Sequence, residues 1–162
     1  MKRLISLILL FGFLLSGCSM GERIKEPVNF YYIQENYREE MGNVIAREVR
    51  EAAGHRYDLP YLLALYSMGP SKAGLLSPFP VNTMILPVEH SEDGLVLSVL
   101  DEIHDMTDAQ YTLASACLAM TFMEIIDVEQ ITVICGDRSL TFKSDTLLTD
   151  SARNVITPEE RK

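Results

Sequence analysis

Basic residues are scarce in this chain of 162. Fourteen lysines and arginines stand against 23 aspartates and glutamates, a formal charge of −9. That balance excludes the basic footprint that nucleic-acid binding requires. It also gives the chain no electrostatic grip on anionic lipid. Cysteine is scarcer still: Cys18, Cys117 and Cys135 are the whole set, with no Cys-x-x-Cys pair and no Cys/His spacing of a zinc site. The three histidines, His55, His90 and His104, are scattered. From Asp58 to Pro87 no nucleophile sits beside a histidine and no glycine pattern cradles phosphate, and no internal repeat occurs in the chain. These absences leave no catalytic constellation, no metal site and no cofactor motif.

The amino terminus is specific. Met1-Lys2-Arg3 is a short positive region, followed by an apolar run from Leu4 to Leu15. A membrane-spanning helix needs about 20 apolar residues, so this shorter run reads as a signal peptide, residues 1–17. It ends in Leu15-Ser16-Gly17-Cys18, an aliphatic residue, two small residues and a cysteine. A lipoprotein peptidase needs small side chains at the cleaved bond, and the thiol of Cys18 accepts a diacylglycerol through a thioether. Each buried methylene contributes about 0.8 kcal/mol, so two or three acyl chains (palmitate among them) anchor stably. The expectation is an extracytoplasmic lipoprotein held on the cell membrane by Cys18. Loss of Lys2 and Arg3 leaves the mature chain near −11. Its other cysteines read as two separate buried thiols, Cys117 in an apolar helix and Cys135 at a strand end.

Residues 18–27 form a polar tether and 28–145 a single α+β domain; 146–162 are a polar tail. Val28 to Ile33 reads as a strand, and Asn43 to Ala52 is ambiguous between helix and strand. Asp58 caps a helix from Leu59 to Ser67, with Pro60 in its first turn. Gly69-Pro70 stops that helix and opens a corner that runs through Gly74, Pro78 and Pro80. The chain from Asp58 to Pro87 joins a helix to a sheet and is the joint of the domain. Thr83 to His90 is a strand in which Pro87 marks an edge, a bulge or an end. Glu92-Asp93-Gly94 is a hairpin turn, and Leu95 to Leu100 is a central strand. Thr107 and Gln110 form a capping box for a helix from Asp108 to Ile126. That helix is apolar nearly all round, its polar face reduced to Gln110, Thr112, Ser115, Thr121 and Glu124. It must therefore be covered on more than one side, by a sheet and the first helix or by a partner chain. Glu129 to Cys135 and Ser139 to Lys143 are strands around a turn at Gly136-Asp137-Arg138.

The run Leu63-Ala64-Leu65-Tyr66-Ser67-Met68-Gly69-Pro70, then Gly74-Leu75-Leu76-Ser77-Pro78-Phe79-Pro80, then Asn82-Thr83, resembles the GerMN domain of bacterial sporulation and germination lipoproteins. The likeness covers residues 27 to 144. Asn82 stands where the family pattern has glycine, and Phe79 replaces a smaller aliphatic residue; one copy of the domain is present where the sporulation protein has two. The resemblance favours a strand for residues 43–52, paired with the first. It implies an αββαβ core like that of ring-building motifs, a small mixed sheet with two helices on one face plus the N-terminal strand pair. It also implies assembly with other envelope or sporulation proteins, or self-association.

Three functions follow as expectations. The first is a lipid-anchored assembly module with no enzymatic activity, whose contacts include Leu75, Leu76 and Phe79 in the loop from Gly69 to Pro80. The second is an envelope-acting enzyme. Its candidates are the adjacent pairs Glu89-His90 and His104-Asp105, which diverge, and Asp101, Glu102, Asp105 and Asp108, whose spacing matches no calcium loop. The third is a lipoprotein that binds a small ligand in an apolar pocket.

Overall fold

The computed structural model describes residues 24–36, 44–91, 94–100 and 105–147. Two sheets enclose a layer of helices. β1 (Pro27–Gln34) pairs antiparallel with β2 (Ile45–Glu51), with Val28 opposite Arg50 and Tyr32 opposite Ala46. The expected strand pair is present, and Pro27, placed in the tether by the sequence, begins its first strand. After α1 (Leu59–Ser67), a two-residue strand β3 (Leu75–Leu76) pairs with Ile33 and Gln34, which makes the pair a three-stranded sheet, β2-β1-β3. The second sheet has the order β4-β5-β6-β7, from β4 (Met84–His90), β5 (Gly94–Leu100), β6 (Gln130–Cys135) and β7 (Arg138–Lys143). β5 and β6 run parallel, joined by α2 (Asp108–Ile126). The other pairings are antiparallel, so the sheet is mixed. From Asp58 onward the chain carries the expected αββαβ order, with β3 and β7 added.

Strand alternation fixes which face meets the helices. Ile85, Leu95, Leu97, Val99, Ile131 and Val133 are buried, while Met84, Leu86 and Leu100 are exposed on the opposite face. α1 packs on β4, and α2 on β6, β7 and β1. Val28, Phe30 and Tyr32 of β1 point into the same core. There Tyr66 of α1 stacks on Tyr32 at 5.2 Å and meets Phe30 edge-on at 5.8 Å and Phe122 of α2 at 6.0 Å.

This sandwich accounts for the composition of α2. By length and hydropathy the helix could cross a membrane, yet every residue from Ala114 to Met123 except Ala116 is buried by the fold. A helix apolar on all sides needs cover on all sides, and β1 of the three-stranded sheet supplies the cover for which a partner chain was the alternative. Ser115 and Thr121, assigned to the polar face by sequence, are buried. Thr121 Oγ1 donates to the Cys117 carbonyl and accepts the Tyr31 amide at 3.0 Å. β3 stops at Leu76, so Tyr31 has no strand partner on that edge, and the helix hydroxyl satisfies its amide.

Burial also sets the ionisation of two neighbouring tyrosines of β1. Tyr32 is pushed up to about 12 by burial, with the Arg50 guanidinium acting the other way. Tyr31 is pushed up to about 12 by burial and by Glu124, whose carboxylate accepts its hydroxyl at 2.8 Å. A folded-state pKa above the free value of about 10 means that the fold binds protons more tightly than the unfolded chain. The stability these groups contribute is whole below pH 10 and declines as pH rises toward 12. Tyrosinate absorbance followed beside urea unfolding checks this: Tyr31 and Tyr32 titrate late, and stability falls over the same range.

Candidate functional site

The joint is the feature around which polar side chains converge. α1 begins as the sequence dictates: Asp58 Oδ1 accepts the Tyr61 amide at 3.1 Å, and Pro60 occupies the first turn. It ends at Met68, after which Gly69 takes φ +81°. Glycine has no Cβ to oppose that conformation. The last carbonyls of a helix lack partners within it. Here Arg50 of β2 reaches across, and its Nη1 donates to the carbonyls of Leu65 at 3.2 Å and Gly69 at 3.0 Å. Its guanidinium carbon also lies 5.7 Å from the centre of the Phe30 ring. A cation at a helix C-terminus is favoured by the helix dipole.

Two residues earlier on the same face of β2, Glu48 takes the next segment. It is 5 % exposed. Its carboxylate accepts the Ser71 amide at 3.1 Å, the Lys72 amide at 3.0 Å and the Ser71 hydroxyl. A buried carboxylate is costly unless such donors surround it. Glu48 and Arg50 thus grip opposite polarities of one short stretch, Leu65 to Lys72. Sequence reading missed both. The alternation in β2 is poor because charged residues occupy its inward positions, Glu48 and Arg50, while Val49 faces solvent. An inward Glu-x-Arg in an otherwise plausible strand was the available signal.

Beyond the clamp, Glu35 donates its amide to Gly74 O at 2.9 Å, and β3 follows. Gly69 is buried and Pro70 half-buried, Gly74 and Pro80 are exposed, and Leu75 is half-buried. Of the three expected contact residues, Leu76 is exposed at the sheet edge, whereas Phe79 is in the core and cannot meet a partner. The corner closes on Asn82, whose amide donates to Ser67 O at 3.0 Å with φ at +67°. Asparagine tolerates this left-handed conformation, which costs most residues about 1–2 kcal/mol. Asn82→Ala is expected to lower stability by about 1 kcal/mol and Asn82→Gly to leave it level or raise it, as read by chemical denaturation.

The Asn82 bond brings Met68 and Val81 to one end of β4, and there an exposed apolar surface begins. Met68 and Val81 are both exposed, and β4 continues with Met84 at 54 %, Leu86 at 43 % and Val88 at 64 % exposure. Leu100 lies across from Met84 and is exposed too. β4 is an edge strand whose register shifts between Pro87 and Glu89. Proline and a bulge at an edge discourage another strand from pairing with its backbone, so this surface offers side chains rather than a ladder.

The remaining candidates stay apart. Among the described residues no group of three or more His, Cys, Asp or Glu is placed to hold a metal. Glu89 and His90 are exposed at the end of β4. Asp105 is exposed, and Asp108 lies 3.9 Å from Arg138. His55 Nδ1 is 3.3 Å from Asp58 Oδ2 and its ring stacks on Tyr61 at 4.2 Å. Asp101, Glu102 and His104 lie outside the described residues, as do Cys18 and the hairpin tip at Glu92-Asp93. Cys117 is buried, and burial pushes its thiol far up. Cys135 is half-buried rather than buried, and both thiols are free.

No protein-family model matches the sequence, and no curated protein matches it. Among solved structures, the chain is similar to the first GerMN domain of the sporulation protein GerM from Bacillus subtilis. The TM-score is 0.51 at 11 % identity, over 70 % of this chain and 85 % of that one. It also matches a proposed lipoprotein from Clostridium perfringens at a TM-score of 0.40 and 16 % identity, over 74 % of this chain and 89 % of that one. The fold described above is therefore GerMN-like.

Proposed function

We propose that this chain is a lipid-anchored extracytoplasmic module that docks on other cell-envelope proteins, with no enzymatic activity of its own. The observation that carries the reading is the exposed apolar row Met84, Leu86 and Val88 on β4, with Met68 and Val81 also exposed at the joint. Contiguous apolar surface rimmed by polar residues marks interaction sites. The lipobox at Cys18 supplies the anchor and its side of the membrane. The GerMN-like fold supports the same reading, since the neighbour bearing it is a sporulation protein. A role in sporulation or germination is the form of this proposal that follows the neighbour's name.

Two substitutions separate the parts. Cys18→Ala is expected to move the protein from the membrane to the soluble fraction, because a single thiol carries the lipid. Leu86→Asp with Val88→Asp is expected to leave the melting temperature within a few degrees, since exposed positions contribute little to stability. The same pair is expected to abolish the complexes that crosslinking detects on intact membranes. Retention of every crosslinked species in the double variant would contradict the proposal.

A further inference from the structure

The end of the molecule at the start of α1 carries a second, smaller surface. The tether enters the fold there, and three hydrogen bonds bind its end to the loop after β2. Ala52 donates its amide to Glu26 O at 3.2 Å, Gly54 to Glu26 Oε2 at 2.9 Å, and Arg56 Nη1 to Pro27 O at 2.7 Å. This loop carries Tyr57, 90 % exposed, the most exposed large hydrophobic side chain among the described residues. Ile24 and Lys25 are exposed on the incoming chain just before Glu26. Arg56 is half-buried, and Tyr61 backs the loop through its stack on His55.

We infer that the loop from Gly54 to Tyr57, together with Ile24 and Lys25, rests on the lipid headgroup layer and orients the domain on the membrane. The inference rests on the lipid anchor at Cys18. Eight residues separate Cys18 from Pro27. A chain of that length, even fully extended, spans at most about 30 Å. The loop bonded to the tether's end is thus held within reach of the bilayer surface. Its chemistry suits that place: tyrosine is favoured at headgroup level, with its ring in the apolar zone and its hydroxyl in water. Lys25 and Arg56 are the cations here. Of the nearby acids, Glu26 and Asp58 are engaged by backbone amides of the loop and helix, and Glu51 is exposed.

The orientation has a consequence for the joint. β1 has eight residues, Pro27 at the tether end and Gln34 beside Leu75 at the other. At about 3.3 Å per residue the strand sets Leu75 roughly 23 Å from the tether. A domain seated on Tyr57 therefore presents Leu75 and Leu76 away from the bilayer.

The chain contains no tryptophan, so Tyr57→Trp places a single reporter on the loop and Leu86→Trp a single reporter on β4. Each full-length variant is produced as the acylated protein. It is then reconstituted into phosphatidylglycerol and phosphatidylethanolamine vesicles with brominated acyl chains. The expected result is a blue-shifted emission that the bromine quenches for Tyr57→Trp and an unquenched emission for Leu86→Trp. Unquenched emission from Tyr57→Trp, or equal quenching of the two, overturns the inference. The mass of the N-terminal peptide from the same sample distinguishes the failures. An acylated Cys18 with unquenched Tyr57→Trp removes the contact and leaves the anchor standing. A Cys18 without acyl groups removes the anchor and the contact with it.

Discussion

Phe122→Ala is expected to destabilise the domain by about 3–5 kcal/mol and to lower its melting temperature by roughly 10–20 °C. Phe122 is fully buried in the middle of α2. Its ring meets Tyr66, which in turn stacks on Tyr32 and meets Phe30. That cluster joins both helices to the three-stranded sheet, so truncation opens a cavity where three elements meet and none can move in alone to fill it. A domain of this size has only about 5–15 kcal/mol to lose. The matched control is Thr112→Ala on the exposed side of the same helix, which should change stability by no more than about 0.5 kcal/mol. Similar losses for both variants in urea unfolding would mean that α2 is not enclosed between the sheets.

The second large effect is expected at the clamp. Glu48→Ala removes the acceptor of two amides and a hydroxyl and is expected to cost about 1.5–3 kcal/mol. Glu48→Gln keeps one carbonyl acceptor and should recover part of this. Arg50→Met keeps an unbranched stem of similar reach but removes the donors to the carbonyls of Leu65 and Gly69. Because both side chains hold one segment, their losses should not add; a double-mutant cycle is expected to return a coupling of about 0.5–3 kcal/mol. Hydrogen exchange localises the effect, with the Ser71 and Lys72 amides exchanging faster in Glu48→Ala than in the parent. Unchanged exchange at both amides would remove Glu48 from the role assigned to it.

The elements most legible in the sequence were those with local chemistry. Asp58 and Pro60 start α1, Gly69-Pro70 stops it, and the Thr107–Gln110 capping box starts α2; each bound agrees with the structure. Pro87 marked both an edge strand and a bulge, and Asn82 carries the positive φ that its place in the corner demands. Where the determinant was long-range, the residues were silent. Leu75 and Leu76 form a strand only because Ile33 and Gln34 arrive beside them from some forty positions earlier. Thr121 and Ser115 look like the polar side of an amphipathic helix until the helix is enclosed between two sheets. Glu48 and Arg50 look like solvent-facing charges until the corner they hold is folded against them. Phe79 was read as a contact because it lies in the motif loop, yet the loop turns it inward. The candidate site was thus located by the sequence as a stretch, while its polar support and its exposed apolar row became visible only in three dimensions.

The docking surface is tested most directly by a photo-activated crosslinker placed in turn at Val88, at Leu86 and at Thr112 in the lipidated protein of living cells. The account predicts discrete adducts of defined mass, with another envelope protein or a second copy of this chain, from Val88 and Leu86, and none from Thr112. Adducts absent from both β4 positions, or the same adducts from all three, would contradict it.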